Sequence, residues 1–339
     1  MKEKSSLKNR LKEYFDIDKN IDPDFPKNML LELSNVCNHS CIFCANSKST
    51  RKKCIIDNKL AKRILQEAYD LGTREVGFYS TGEPLVDMNL EEYVRTAKSI
   101  GYEYVYITTN GALLNKERAK SLVESGIDSI KFSINAGTKE GYKFIHGKDD
   151  FEKVINNLKW LDSYRKDNNI TMKIYISCIL TRYTKDDKEL VLNQLNRYAD
   201  DIVFLNCINQ CGVMYEVNKY LIIEDEKSYN NDVCPLLFNK LHITCEGYLT
   251  ACCADFQNYL AVADLNTENL RDSWNNDRFN ALRKMHIEGN LKGTLCYNCI
   301  NNVNREINPL REDISTKYYV KEFDKTKEIL KRIEKINIL

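Results

Sequence analysis

Short apolar runs alternate with longer stretches of helical periodicity between residues 28 and 210. The predicted strands are Met29–Ser34, Glu75–Tyr79, Tyr104–Thr108, Ser129–Ser133, Lys173–Cys178 and Ile202–Asn206. The predicted helices between them are Asn58–Leu71, Leu90–Ile100, Lys116–Ser125, Phe151–Tyr164 and Asp186–Arg197. Strands that alternate with helices favour an α/β fold with a parallel sheet and right-handed crossovers. The periodicity leaves open whether that sheet closes into a barrel.

The alternation stops near residue 210, where we place a domain boundary. Residues 207–233 are predicted to be irregular and acidic, and residues 234–300 hold six of the cysteines with little clear repeat. Lys317–Ile338 is predicted to form a charged helix, and the polar residues 1–27 a short amphipathic helix with an entry segment. The predicted domains are an N-terminal helical extension at 1–27, a barrel domain at 28–210, a cysteine-rich domain at 211–305 and a C-terminal helix at 306–339.

The overall charge argues against two classes of partner. Fifty basic and 49 acidic residues leave a formal charge of +1, which is not the balance of a broadly basic nucleic-acid binder. The chain has no apolar run of 18 residues and no apolar signal region after Met1. We therefore expect a cytoplasmic protein that binds neither nucleic acid nor membrane.

The chain has thirteen cysteines, which is an odd number, and it has no secretion signal. In a reducing compartment most of these thiols are expected to be free, bound to metal or reactive. A buried cysteine is also a common small hydrophobic residue, so the spacing of the cysteines has to distinguish these roles.

Three cysteines follow the first predicted strand at the spacing C-x3-C-x2-C. They are Cys37, Cys41 and Cys44. Three thiolates within eight residues suit a soft metal centre. If that centre is a cluster of four irons, one iron stays open to bind a small molecule through oxygen and nitrogen. A structural zinc site with His39 as the fourth ligand is the alternative, although His39 stands only two residues after Cys37, an awkward spacing for a tetrahedron.

Short polar residues stand at the carboxyl ends of the predicted strands, on the same side as the cysteine loop. In a parallel α/β sheet this is the side where function gathers. Helix capping and turn formation are the alternative explanation for these residue types. The residues are Gly82, Glu83, Thr109, Asn110, Ser133, Asn135, Ser177, Cys178, Asn206 and Cys207.

These motifs together resemble the radical S-adenosylmethionine (SAM) superfamily. The cysteine triplet, with the aromatic Phe43 before its last member, carries the resemblance, and Gly82-Glu83-Pro84 resembles the family's Gly-Gly-Glu motif with Thr81 replacing the first glycine. The resemblance implies a partial (β/α)6 barrel. It also implies reductive cleavage of SAM to a 5′-deoxyadenosyl radical that abstracts hydrogen, and a flavodoxin- or ferredoxin-type electron donor.

The resemblance also implies roles for particular residues. Cys37, Cys41 and Cys44 would hold a [4Fe–4S] cluster whose open iron chelates the amino and carboxylate groups of SAM. Phe43 would lie near the adenine, and Gly82 and Glu83 would face the methionine amino group. The remaining cofactor contacts, near the ribose and carboxylate, are predicted at Thr109, Asn110, Ser133, Asn135 and Ser177.

A second cysteine set has the pattern C-x12-G-x4-C, a gap, then C-x2-C, and consists of Cys234, Cys252, Cys296 and Cys299, with Gly247 as the glycine. Four thiols in two pairs suit zinc or an iron–sulfur cluster, and the spacing alone does not choose. The segment resembles the SPASM or shorter twitch extension of radical SAM enzymes, which implies an auxiliary [4Fe–4S] cluster on these four cysteines. Residues 300–339 contain no cysteine, so one auxiliary cluster is expected.

Three of the remaining cysteines, Cys178, Cys207 and Cys211, are candidates to donate a hydrogen atom to a substrate radical. Cys245 is expected in the core. His146, before Gly147, is interpreted as a surface turn residue at a position where related barrels often carry an arginine.

Three functions remain open from the sequence. The first is an oxidoreductase or epimerase acting on a small polyol or aminosugar. The second is a maturase of a ribosomally made peptide or protein side chain; such enzymes often carry a separate leader-binding domain ahead of the barrel, and residues 1–27 are too short for one, which disfavours this function. The third is a non-catalytic zinc or iron–sulfur protein. Substrate identity, the choice between dehydrogenation and epimerisation, and the oligomeric state are left undetermined.

Overall fold

The structure, a computed structural model, describes residues 19–223, 233–314 and 325–336. The helix predicted within residues 1–27 and the first part of the predicted helix Lys317–Ile338 lie outside these ranges. One sheet of nine strands runs through the molecule in the order β6-β5-β4-β3-β2-β1-β7-β8-β9. The strands are β1 (Asn28–Leu31), β2 (Glu75–Gly77), β3 (Tyr104–Thr109), β4 (Ser129–Ser133), β5 (Lys173–Leu180), β6 (Asp201–Asn206), β7 (Lys240–Ile243), β8 (Tyr248–Thr250) and β9 (Ala261–Asp264).

Helices follow the strands of the parallel part of the sheet and cover its outer face. The α-helices are α1 (Asn58–Asp70), α2 (Leu90–Ile100), α3 (Lys116–Glu124), α4 (Lys139–His146), α5 (Phe151–Asp167), α6 (Lys188–Leu195), α7 (Tyr215–Leu221), α8 (Leu236–Asn239), α9 (Leu270–Trp274), α10 (Asp277–Glu288), α11 (Leu295–Asn301) and α12 (Thr326–Ile336). Short 3-10 helices lie at Ala45–Lys48, Pro84–Val86, Lys185–Asp187, Asn196–Tyr198 and Gln210–Gly212.

All six predicted strands are present and pair in parallel, so the predicted α/β fold with a partial (β/α)6 barrel is confirmed. β4 spans the predicted residues, and β5 extends two residues further than predicted. These strands are buried on the helix side, and a continuous apolar run makes such strands visible in a sequence.

Side-chain caps explain where several helices begin. The carboxylate of Asp57 accepts a hydrogen bond from the backbone N–H of Leu60 at the start of α1. The hydroxyl of Thr138 accepts from the N–H of Gly141 in the same way at the start of α4. Each bond satisfies one of the N–H groups that a helix leaves free at its first turn.

Six helices were not predicted: α4 and α7, and the four helices α8 to α11 of the cysteine-rich region. Helix α4 has only eight residues and contains Gly141, which weakens its helical signal. Helix α7 lies within residues 207–233, so the prediction that this whole segment is irregular is wrong.

The C-terminal unit continues the barrel sheet. β7 pairs in parallel with β1, from Asn28 opposite Lys240 to Leu31 opposite Ile243, and β8 and β9 follow in antiparallel order. The cysteine-rich region is therefore joined to the barrel by backbone hydrogen bonds between β1 and β7.

The two faces of the sheet have different surroundings. On β4, Ile130 and Phe132 are fully buried towards the helices, and Phe132 packs near Gly111 and Val154 of α5. Side chains alternate along a strand, so Lys131 and Ser133 point to the concave face.

Over the described ranges, no helix is long and apolar enough to cross a membrane.

Candidate functional site

The loop after β1 holds three thiols at the carboxyl end of the sheet. Two backbone bonds anchor it to the last turn of α4: Ser40 N–H donates to the carbonyl of His146 at 3.1 Å, and Ile42 N–H to that of Ile145 at 2.9 Å. Inside the loop, Cys44 N–H donates to the carbonyl of Cys41 at 3.1 Å. The loop thus has a fixed shape that depends on a helix far along the chain.

Cys37, Cys41 and Cys44 line a cavity of about 490 Å³. Burial raises the pKa of Cys37 to about 12, with a further contribution from the nearby carboxylate of Glu83. Burial and the other two thiols also raise the pKa of Cys41. Without a metal these groups are neutral thiols; three thiolates here would repel one another unless a positively charged centre lay between them, so this donor set fits a cluster of iron ions.

Glu83 is the centre of a buried hydrogen-bond network beside the cysteine loop. Its carboxylate accepts from the hydroxyl of Thr109 at 2.6 Å, from Asn110 N–H at 2.8 Å and from Leu85 N–H at 3.2 Å. Burial nevertheless raises the pKa of Glu83 to about 6, because these donors only partly replace water. A cation at this carboxylate would stabilise its charged form.

Gly82 is required by a close approach of two chain segments. A Cβ atom at this position would lie 2.0 Å from the carbonyl oxygen of Ser34 and 2.8 Å from that of Val36. Glu83 N–H also donates to the carbonyl of Val36 at 2.9 Å. The Gly82-Glu83 segment is therefore packed directly against the start of the cysteine loop.

The other predicted cofactor contacts occupy three settings. Asn110 joins the Glu83 network, and its side-chain amide donates to Asn38 of the cysteine loop at 2.8 Å. Ser133 and Ser177 are paired in register on adjacent strands. Phe43 is buried within the cysteine loop. Contact of these residues with SAM stays a prediction.

Asn135 is buried, and its side chain is bonded within the protein. The Oδ1 atom accepts from Ile179 N–H at 2.8 Å, and the Nδ2 atom lies 3.2 Å from Nε2 of His146. The predicted contact of Asn135 with the ribose or carboxylate of SAM competes with both of these bonds.

The interpretation of His146 as a surface turn residue is wrong. His146 is the last residue of α4 and is completely buried, with its Nδ1 atom 3.6 Å from the Sγ atom of Cys41. Its ring stacks on Tyr142, one helical turn earlier, at 3.9 Å between centroids. Helix α4 was not predicted from the sequence, and without this helix the position of His146 could not be recognised. The i, i+4 spacing of Tyr142 and His146 is the pattern that would place both rings on one face of a helix.

His39 is hydrogen-bonded to Asp150 at 3.0 Å through Nε2 and is buried. Its pKa is lowered by burial, against the opposing effect of the Asp150 carboxylate. His39 thus has a partner outside the thiol set.

Four thiols of the second set gather in the C-terminal unit. Cys234 precedes α8, Cys252 follows β8, and Cys296 and Cys299 stand one turn apart on α11. Burial, together with the charges of Cys252, Cys234 and Cys299, raises the pKa of Cys296. This mutual repulsion again fits a site for a positively charged metal centre.

Cys211, named above only as a candidate hydrogen donor, is a fifth thiol at the same place, and the spacing of the cysteines does not predict this position. Its side chain contacts the thiols of Cys252 and Cys299, and these contacts are the main cause of its raised pKa. Gln210 and Cys211 both have positive φ angles, 48° and 57°, which side-chain-bearing residues rarely adopt. The turn therefore holds Cys211 against the auxiliary thiols at some cost in backbone energy.

Cys178 and Cys207 are both buried, and burial raises the pKa of each thiol to about 12. Cys178 shares its face of β5 with Ile174 and Ile176, which are fully buried, and feels the charge of Asp187 beside α6. It thus points to the helix layer, which disfavours it as a donor to a substrate on the concave face. The role of Cys207 stays a prediction.

The concave face of the barrel combines aromatic and polar groups. Tyr106 packs against Tyr79 and Tyr104, with ring centroids 6.0 and 5.7 Å away. The ammonium of Lys131 lies 5.7 Å from the centroid of Tyr79. Burial and the neighbouring Lys240 lower the pKa of Lys131 to about 8. Within the described ranges, Lys131 has no carboxylate within ion-pair distance.

Comparisons with known families match both cysteine regions. Residues 31–195 match the model of the Radical SAM superfamily, and residues 234–300 match that of the SPASM iron–sulfur cluster-binding domain. An uncharacterized protein of Methanocaldococcus jannaschii is 31% identical over 65% of this chain and 73% of its own length. The S-adenosyl-L-methionine-dependent 2-deoxy-scyllo-inosamine dehydrogenase of Niallia circulans is 27% identical over 80% of this chain and 91% of its own length.

Solved structures share the fold. BtrN in complex with AdoMet and 2-DOIA superposes with a TM-score of 0.54 at 20% identity, over 86% of this chain and 98% of BtrN. Streptococcus suis SuiB bound to the precursor peptide SuiA superposes with a TM-score of 0.62 at 18% identity, over 81% of this chain and 69% of SuiB. The predicted cofactor classes, [4Fe–4S] clusters and SAM, are those of this fold family. The chain therefore belongs to the radical SAM superfamily and carries a SPASM-type iron–sulfur domain behind its partial barrel.

Proposed function

We propose that this radical SAM enzyme removes a hydrogen atom from a small polyol or aminosugar and either oxidises or epimerises it. The observation that carries the proposal is one auxiliary group of thiols, at Cys234, Cys252, Cys296 and Cys299 with Cys211 in contact with it, joined to the barrel by one continuous sheet. The similarity to a dehydrogenase of an aminocyclitol, over 91% of that enzyme, supports the same class of substrate.

We assign the loop thiols Cys37, Cys41 and Cys44 to the cluster that binds SAM. When bound, that pair of cofactors supplies one-electron cleavage of the sulfonium and a 5′-deoxyadenosyl radical. Glu83 would accept hydrogen bonds from the methionine ammonium, and the backbone at Gly82 would set the distance between this carboxylate and the cysteine loop. Buried Phe43 would help to exclude water from the cavity.

Oxidation and epimerisation differ in what happens to the substrate radical. In a dehydrogenation, the substrate radical would lose a proton to solvent, and a cluster held by the four auxiliary cysteines would take up the electron lost with it. In an epimerisation, a thiol would return a hydrogen atom to the opposite face of the substrate carbon, and one electron from the flavodoxin- or ferredoxin-type donor together with a proton from water would convert the resulting thiyl radical back to the thiol. Cys207 and Cys211 remain candidates for that thiol, whereas the orientation of Cys178 is unfavourable.

The concave face supports a small polar substrate. Tyrosine and serine hydroxyls of the inner strand faces are suited to hydrogen-bond with the hydroxyl groups of a polyol. The ammonium of Lys131 repels a protonated amine. We therefore expect an aminosugar to turn its hydroxyl groups, and not its amino group, towards β4.

A peptide maturase is the second candidate, because the fold is also shared with SuiB, whose structure contains a bound precursor peptide. The two candidates differ in substrate size. A peptide needs an open groove at the carboxyl end of the sheet, whereas a polyol needs only a closed cavity.

The test is turnover of a substrate panel by the anaerobically reconstituted, reduced protein with SAM. The panel contains 2-deoxy-scyllo-inosamine, related aminocyclitols, uncharged polyols and short peptides. We expect 5′-deoxyadenosine together with a product two mass units lighter, or deuterium uptake from heavy water if the reaction is an epimerisation. Cys41→Ala should abolish 5′-deoxyadenosine, whereas Cys252→Ala should retain it and lose the oxidised product.

Two results would contradict the proposal. If the iron-loaded wild type forms no 5′-deoxyadenosine with or without the panel, radical chemistry at the cysteine loop is wrong. If peptides are modified and no polyol or aminosugar is, the maturase candidate replaces the proposed one.

A further inference from the structure

His146 makes buried contacts that have no role in the proposed function. The ring stands at the end of α4, fully buried, between Cys41 on one side and Asn135 on the other. Its Nδ1 atom lies 3.6 Å from the Cys41 sulfur, which is a normal distance for an N–H···S hydrogen bond. The position of the ring proton decides whether this contact is such a bond.

Asn135 determines which ring nitrogen carries the proton. Its backbone N–H donates to Nε2 of His146 at 3.3 Å, and its Nδ2 atom lies 3.2 Å from the same nitrogen. The orientation of the Asn135 amide is fixed, because its oxygen accepts from Ile179 N–H at 2.8 Å. Both groups that face Nε2 are therefore donors.

A nitrogen that faces two donors must accept, so Nε2 has the lone pair and the proton of the neutral ring is on Nδ1. The N–H of Nδ1 is then directed at Cys41. The stacking of the ring on Tyr142, at an interplanar angle of 12°, keeps it in this orientation.

We infer that His146 is a positioning residue that donates an N–H···S hydrogen bond to the Cys41 thiolate and thereby raises the reduction potential of the cluster on Cys37, Cys41 and Cys44. This inference rests on the proposed role of these three cysteines. Reduction adds negative charge to the cluster and its sulfurs, so a donor at one sulfur stabilises the reduced form more than the oxidised form.

The test compares three variants by redox titration monitored by EPR. His146→Phe keeps the ring and its stacking but removes both nitrogens, and His146→Gln retains a donor and an acceptor. His286→Phe is the matched control, since it replaces another buried histidine, on α10. The signal to follow is the part of the reduced spectrum that changes when SAM is added, which reports the cluster in the cysteine loop.

We expect His146→Phe to shift the midpoint potential to a more negative value. The potential of His146→Gln should return most of the way to that of wild type, and the potential of His286→Phe should equal that of wild type. An unchanged potential in His146→Phe, or an equal shift in His286→Phe, would overturn the inference. If the wild type shows no SAM-responsive signal, the proposed function fails instead.

A second measurement does not depend on folding of a variant. In wild-type protein labelled with ¹⁵N-histidine, pulsed EPR of the reduced cluster should detect a ring nitrogen and an exchangeable proton near the cluster. Absence of both couplings would also overturn the inference.

Discussion

Replacing Glu83 by Gln tests the SAM site most directly. The carboxylate is buried and accepts three hydrogen bonds, yet its pKa is raised to about 6, mainly by burial. The ordinary value for this group is 4.5. A raised pKa means that the charged form is less stable in the folded protein than in water, and that a cation beside it can reverse the difference.

The size of the expected effect follows from this shift. A displacement from 4.5 to about 6 corresponds to about 2 kcal/mol, because one pKa unit is about 1.4 kcal/mol. If the methionine ammonium of SAM recovers this energy, its loss in Glu83→Gln raises the Kd for SAM about 30-fold. A charge-assisted hydrogen bond, at about 1.5–3 kcal/mol, gives the same range.

The sign of the pH dependence is also determined. Glu83 becomes protonated as the pH falls through about 6, and its attraction for the ammonium is then lost. Ionisation of this group alone predicts that the Kd of wild type increases about fourfold between about pH 7 and about pH 5.5. The Gln variant should show no such dependence.

Equilibrium dialysis of SAM against the anaerobic, iron-loaded protein measures both effects. Glu92→Gln is the control, because it removes a carboxylate from the same region of the chain on the outer face of α2. A Kd for Glu83→Gln within about twofold of wild type, or a pH dependence equal in both proteins, would refute the electrostatic role of Glu83.

Three other changes have expected outcomes. Gly82→Ala places a Cβ atom 2.0 Å from a backbone oxygen, so we expect a loss of stability of about 1–3 kcal/mol, measured by urea unfolding, together with weaker SAM binding; wild-type stability would contradict the packing argument. Glu32, buried beside Arg51, has its pKa lowered to about 2, so its contribution to stability is complete above about pH 4.5 and is lost as the pH falls towards 2. Glu32→Gln should therefore lower the free energy of unfolding in urea by about 3 kcal/mol near pH 7, and by less in acid. An equal loss of unfolding free energy at both pH values would argue against a stabilising ion pair between Glu32 and Arg51. Cys252→Ala should lower the iron content by about four atoms per chain and leave the SAM-responsive signal intact, whereas a loss of all iron would show that the two sites do not assemble independently.

The local parts of the fold were accessible from the sequence. The strand Ser129–Ser133 and the helix Leu90–Ile100 were predicted with their observed bounds, because apolar spacing marks buried strands and amphipathic helices. The cysteine triplet was also a local pattern, since its ligand spacing lies within one loop.

The long-range parts were not accessible. The pairing of β1 with β7 joins segments that are far apart in the sequence, Asn28–Leu31 and Lys240–Ile243, and no periodicity encodes it. The approach of His146 to Cys41 depends on a short helix with a glycine in it, and the place of Cys211 depends on two left-handed residues. Each of these features is decided by tertiary packing that overrides weak local propensity.

The continuous sheet also links the strand that leads into the first cysteine loop with the strand that leads into the second cysteine set. Leu30 of β1 lies opposite His242 of β7, which in turn lies opposite Thr250 of β8, two residues before Cys252. Neighbouring strands are about 4.8 Å apart, so β1 and β8, which are separated by β7, lie about 10 Å apart across the sheet. Shifting a strand by one residue would turn its buried side chains to the other face. Electron tunnelling between two clusters is sensitive to small changes in distance, and a register held by backbone hydrogen bonds restricts sliding of β1, β7 and β8 past one another.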